Sequence, residues 1–331
     1  MSLYRNILKR AWEITWKFKY LWFFGLFAAL LGNGGEFEII SKSFDINNPD
    51  NLNIIDSIKS FAGTGIFSKQ AVGNVGQLVV NDPFNLLMLV IILLIVLILA
   101  GFMIWLTIIS QAALVNNSAN VISGKPHDLK SGVMNGADKF WPVFGMNLIS
   151  RALTYLVFLA IGLPVVISIS RANAVTASIV FIVSFLIFIP VAIILSFIVK
   201  YSIGYIIIKG EKFLESLKLG WLLFIKNWLI SIEMAFILFF INFFVGIFLI
   251  LILLILAIPF LFILFLLIKS GLFFNFWVVA MFALVLFLII IILVGSALSV
   301  FQISSWTGLF IELVGRGGVS KIVRLFDKKT P

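Results

Sequence analysis

Long apolar runs alternate along the chain with short charged stretches, and within each run the apolar residues are continuous rather than periodic. Residues 84–109, 141–167, 176–208, 229–268 and 276–310 consist mostly of Leu, Ile, Val, Phe and Ala. Each reaches the roughly 20 apolar residues that a helix needs to cross the hydrocarbon of a bilayer. A shorter run, 20–32, ends in Gly32-Asn33-Gly34-Gly35 with no small-residue cleavage pattern, so it is read as a retained first span. Residues 229–268 would extend roughly 60 Å as one helix, more than an ordinary span. Pro259 is expected to break that run. The predicted fold class is all-α: a polytopic membrane helix bundle of about six transmembrane helices with interfacial amphipathic helices.

The stretches between the runs refine this picture. Leu3, Ile7, Ala11, Ile14 and Phe18 recur at helical spacing with Arg5, Lys9, Arg10 and Lys17 between them. That pattern predicts an amphipathic helix on an anionic membrane surface. In the tail, Val319, Ile322, Val323 and Phe326 form a similar stripe beside Lys321, Arg324, Lys328 and Lys329. The expected organisation is one membrane domain. It has a cytoplasmic lead-in at 1–19, spans at 20–32, 84–109, 141–167, 176–208, 229–257 and 276–310, and an exported loop at 33–83. Segments 110–140 and 209–228 are expected in the cytoplasm, 259–275 along the outer interface, and 311–331 as a basic cytoplasmic tail. Within the exported loop, Ile54, Ile55, Ile58 and Phe61 make a short helical stripe that can rest on the membrane.

Composition agrees with lipid as the solvent. Hydrophobic residues are 62% of the 331 and charged residues 11%, against roughly a quarter charged in soluble domains. No length remains for a separate soluble catalytic domain, and with no cysteine there is no disulfide, thiolate nucleophile or Cys metal site. The net charge of +10 does not point to nucleic acid, because the basic residues cluster on one side of the expected spans. With both termini cytoplasmic, 18 of the 24 Lys and Arg fall inside and five outside, as the positive-inside rule requires. Membrane lipids, anionic at the inner leaflet, are the expected partners, and the expected location is a bacterial-type cytoplasmic membrane. Eight of the nine Trp also fall near the cytoplasmic side, Trp277 being the exception. Aromatic belts ordinarily occupy both faces, so this bias suggests interfacial helices on that side.

An internal repeat is visible. Leu8-Lys9-Arg10-Ala11-Trp12, with Lys17 beyond it, resembles Leu217-Lys218-Leu219-Gly220-Trp221, with Lys226 at the same offset. Asn135-Gly136-Ala137-Asp138-Lys139-Phe140-Trp141 is a looser third copy. All three face the same way, which implies two-span units with an amphipathic lead-in rather than inverted halves of a transporter. Through Phe213-Leu214-Glu215-Ser216-Leu217-Lys218-Leu219-Gly220-Trp221, residues 136–149 and its hydropathy, the chain resembles a broad family of bacterial membrane proteins. These are similar to the membrane domain fused to some glycerophosphodiester phosphodiesterases. The resemblance covers residues 100–310 and implies a six-helix membrane domain with no assigned activity; the soluble diesterase barrel is missing.

Candidate chemistry is sparse. His127 stands alone in a Lys-Pro-His-Asp turn, so no metal site is expected, and no cofactor or catalytic residue is assigned. The glycines of Gly63-Thr64-Gly65 and Gly73-Asn74-Val75-Gly76 lack the strand-turn-helix setting of a phosphate loop. Glu36 and Glu38 have no fold to converge them. The sharper group lies within the spans, where ionisable residues are costly. Asn147, Arg151 and Tyr155 share one helix face at i, i+4 and i+8, and Glu233 lies at a similar depth past Trp228. Glu233 is expected to pair with Arg151, Asn147 or both, either as a polar clamp fixing helix register or as a substrate or ion site. The leading functional class is a non-enzymatic scaffold that organises lipid or partners. The alternatives are a small-solute transporter or channel and a lipid-modifying enzyme.

Overall fold

The structure, a computed structural model, describes residues 3–29, 83–126, 128–171 and 174–315. Among them are nine α-helices, one π-helical turn and no strand, so the fold is all-α. In chain order these are α1 (Leu3–Lys17), α2 (Leu21–Ala29), α3 (Pro83–Ile122), α4 (Leu129–Asp138), α5 (Phe140–Arg171) and α6 (Ala174–Gly204). The π-helical turn Tyr205–Lys209 continues α6, and α7 (Phe213–Lys226), α8 (Trp228–Lys269) and α9 (Phe273–Gly315) follow. Five stretches, Leu87–Ile122, Phe140–Ala160, Ser178–Lys209, Trp228–Lys269 and Phe273–Gly315, are long and apolar enough to cross a membrane. The end of the short first run, the loop with its Ile54 stripe, Glu36 and Glu38, the loop glycines, His127 and the basic tail lie outside the described residues.

Backbone packing divides the chain into two compact units, Met1–Ile39 with Thr107–Pro331, and Ile40–Leu106, where the sequence suggested a single domain. In the second unit, residues 83–106 form the apolar first part of α3, with Phe102 stacked on Trp105 at 5.9 Å. The first unit holds the rest of α3 and the other eight described α-helices.

Each short amphipathic helix ends just before an apolar one, α4 and α7 before long helices and α1 before the nine residues of α2. Lys139 alone separates α4 from α5, Asn227 alone separates α7 from α8, and Phe18, Lys19 and Tyr20 separate α1 from α2. The chain thus runs lead-in, outgoing helix and return helix three times, as the repeat implied. The looser copy has a different register, since Trp141 falls in the first turn of α5, as Trp228 does in α8. Its structural counterpart is therefore Trp228 and not Trp221.

The three repeats interlock in circular order. Lead-in α4 packs on return helix α3, where a Cβ added to Gly136 would lie 2.8 Å from the Ile109 carbonyl oxygen. Lead-in α7 packs on α6 in the same way, a Cβ at Gly220 falling 2.9 Å from the Ile198 carbonyl oxygen. Lead-in α1 closes the circle on α9, with Ile7 3.2 Å from the Cβ position of Gly308. Each outgoing helix leans on the same neighbour as its lead-in. Gly25 of α2 meets the Ser296 carbonyl of α9, Asn147 of α5 bonds Gln111 of α3, and Ser231 of α8 bonds Tyr201 of α6. The return helices also meet one another: Ser118 of α3 bonds Ser304 of α9 at 2.9 Å, and Gly204 of α6 sits under the Phe310 ring of α9. Small residues permit this approach, which matters where lipid gives helices no hydrophobic reason to associate. Two apolar clusters fill the base, one around Phe197, Met234 and Leu309 and one around Leu21, Leu114 and Met146.

Two boundaries differ from expectation. Pro259 lies inside α8, which continues to Lys269 as one helix of 42 residues. Continuing costs one missing N–H, whereas a break in apolar surroundings would strip a full turn of backbone groups of their partners. Helix α3 likewise runs past residue 109 to Ile122, because Thr107, Ser110, Gln111, Asn117 and Ser118 face the packed base rather than water. It ends where Gly124 takes a φ of +69°, letting the Lys125 N–H reach the Asn120 carbonyl at 2.8 Å.

Gly25→Val places a methyl group against the Ser296 backbone and is expected to cost about 1–3 kcal/mol in unfolding. Gly246→Val, whose Cβ meets nothing within 4 Å, should leave stability unchanged. Thermal unfolding of both variants in one detergent checks the contrast.

Candidate functional site

The lead-in helices carry the most distinctive surface. Helix α1 buries Tyr4, Ile7, Ala11, Ile14 and Thr15 on one stripe, leaving Arg5, Lys9, Trp12, Trp16 and Lys17 exposed opposite. Helix α7 buries Ser216, Gly220, Leu223 and Phe224 and exposes Lys218, Trp221 and Lys226. Helix α4, begun by a capping box in which Asp128 accepts from the Ser131 N–H at 2.7 Å, buries Gly132 and Gly136 and exposes Lys130. The indoles are held in place: Trp12 lies 5.5 Å from Trp16, Trp16 lies 5.4 Å from Trp22, and the Trp22 indole N–H donates to the Thr15 carbonyl at 2.8 Å. Trp141 and Trp228, in the first turns of α5 and α8, are 76% and 53% exposed. Trp12, Trp16, Trp22, Trp141, Trp221 and Trp228 belong to the lead-ins or to the first turns of the helices that follow them, whereas Trp105 lies in α3 and Trp277 and Trp306 in α9. Exposed Lys, Arg and Trp on helices with an apolar buried face are the chemistry of a membrane–water interface.

Beneath this surface, polar side chains pair within the base. Asn147 donates to Gln111 Oε1 at 2.8 Å and to the Val143 carbonyl at 2.9 Å. Glu233 accepts from the buried Tyr4 hydroxyl of α1. Gln302 of α9 donates to Asn242 of α8. Ser231 donates to the Asn227 carbonyl at 2.9 Å, which leaves its oxygen to accept from Tyr201 at 2.5 Å. Of the four residues singled out from sequence, Asn147 joins α5 to α3 and Glu233 joins α8 to α1. Arg151 and Tyr155 are exposed on α5, Tyr155 by 64%.

The chain matches no family model, no curated protein and no solved structure.

Sequence reasoning missed two partners. Gln111 belongs to a stripe, Thr107, Gln111 and Ser118, whose spacing of four and seven marks one helix face. Gln111 and Ser118 fall in the stretch expected as a cytoplasmic connection, and Thr107 at the end of the span before it. Lys200 sets its ammonium 4.3 Å from the ring centre of buried Trp306 and 5.7 Å from that of Phe197. A cation over an indole face is attracted by the ring quadrupole, more strongly where water is thin. Neither residue is near the other in sequence, so no local motif announces the pair. Among the described residues, no three His, Cys, Asp or Glu side chains assemble as a metal site. The arrangement can therefore fix helices against one another and present cations and indoles outward.

Removing the Tyr4 hydroxyl in Tyr4→Phe is expected to cost about 1–3 kcal/mol, and Glu233→Ala at least as much, since each leaves a polar partner behind. The double variant should cost less than the sum. Equilibrium unfolding in mixed micelles measures this coupling, and strict additivity would mean that the contact contributes nothing.

Proposed function

We propose that this chain is a multi-pass protein of the cytoplasmic membrane that organises anionic lipid and membrane-bound partners at the inner leaflet without catalysing a reaction. One observation carries the reading: three lead-in helices, each seated on the return helix of the repeat before it, turn Lys, Arg and Trp away from the packed base. Cations of this kind near an anionic surface contribute about 1 kcal/mol each, and indoles hold the depth at the headgroups. The pairings of Asn147 with Gln111, Ser231 with Tyr201 and Gln302 with Asn242 support a structural role for these side chains. The distribution of basic residues supports an inner-leaflet position for the lead-ins.

The test uses the intrinsic tryptophans. In vesicles, brominated phosphatidylglycerol is expected to quench their fluorescence more than brominated phosphatidylcholine. Arg5→Gln, Lys9→Gln, Lys218→Gln and Lys226→Gln combined should bring the two lipids to near parity. Equal quenching in the unaltered chain would end the proposal.

Orientation is checked on the cysteine-free chain with an impermeant thiol reagent in oriented vesicles. Ser123→Cys should label from the cytoplasmic side and Ser270→Cys from the other. Labelling of Asn147→Cys and Ser231→Cys from water would replace the scaffold reading with passage of a small solute.

A further inference from the structure

Away from the base, α8 and α9 leave a hollow of about 340 Å³ between them. Its walls are entirely apolar, with Ala257, Phe260 and Leu264 on α8 and Ala280, Ala283 and Phe287 on α9. The three alanines make the space, and Phe260 bridges it, meeting Phe287 edge-on at 5.9 Å. We infer that this hollow is a binding groove for one acyl chain of a phospholipid, an inference independent of the lipid reading given for the lead-in helices.

The lining selects the occupant. The groove runs from Ala257 to Leu264 on α8 and from Ala280 to Ile291 on α9, lengths of roughly 10 and 16 Å at the helical rise. The groove is walled by two helices only, so a flexible hydrocarbon chain can lie along it against the three alanines. The walls offer no polar side chain, so a hydrated solute would lose most of its hydrogen bonds on entering. An empty groove would forfeit the dispersion contacts of its lining.

Position selects the source. The groove lies toward the α8–α9 turn, where Gly271 has a φ of +71° and where Lys269 and Trp277 are exposed. Leu264 and Ala257 stand roughly 8 and 18 Å along the helix from Lys269, which matches the depth of one leaflet of a hydrocarbon core about 30 Å thick. A phospholipid with its phosphate at the level of Lys269 and Trp277 sends its chain along this path.

The full chain in nanodiscs carrying a trace of phosphatidylcholine with a mid-chain diazirine provides the test. After irradiation and peptide mapping, label is expected several-fold higher on Phe260, Leu264 and Phe287 than on Phe262, Val285 and Ile289, which lie on the same helices outside the groove. Filling the space with Ala280→Phe should reduce groove labelling several-fold while labelling near Trp277 persists. Ala257→Leu serves the same end if the larger substitution impairs folding. Uniform label around both helices, or label unchanged by filling, would overturn the proposal. So would displacement by an equimolar free fatty acid, or a crosslink between two copies of the chain through these residues.

Discussion

Everything in the base depends on backbones coming unusually close. Where helices sit among lipid tails they gain little from burying apolar side chains against each other, so packing contacts and hydrogen bonds must supply the association. Gly136 against the Ile109 carbonyl and Gly220 against the Ile198 carbonyl are two instances of one solution. A short helix loses its side chain where it crosses a long one, and the two main chains touch. The amphipathic lead-ins gain a fixed seat by this means.

The circular order gives those contacts a collective character. Each lead-in rests on the return helix of the repeat before it, α4 and α7 on the helix just ahead of them in sequence and α1 on α9, which joins the first and last described helices. No repeat closes its own base. Folding is thereby coupled to completion of the chain, since the seat on α9 for α1 exists only after the last helix is in place. Tyr4 extends the same closure, crossing from α1 to Glu233 on α8.

Much of this architecture is legible in the amino-acid sequence. Uninterrupted apolar runs identify the long helices, and the Leu8–Trp12 and Leu217–Trp221 likeness identifies lead-ins that do precede apolar helices. The places where sequence reasoning fails share a physical cause. A proline such as Pro259 breaks helices in water, but apolar surroundings penalise the broken turn more than the lost bond. The polar residues 107–118 look like a solvated connection until the helices that cover them are known. Glu233 and Asn147 match in depth, but depth along a helix says nothing about which neighbour lies beside it. The contacts supply that neighbour: Asn147 meets Gln111 of α3 and Glu233 meets Tyr4 of α1.

The lengths of α8 and α9, 42 and 43 residues, set a limit on how the protein can sit. At the helical rise each is roughly 63 Å long, while a bilayer with both headgroup layers is about 40–45 Å thick. Membrane helices rarely tilt beyond about 40°, and fitting these two inside would demand more. A membrane crossed by α8 and α9 therefore leaves a surplus of roughly 20 Å of each helix outside it.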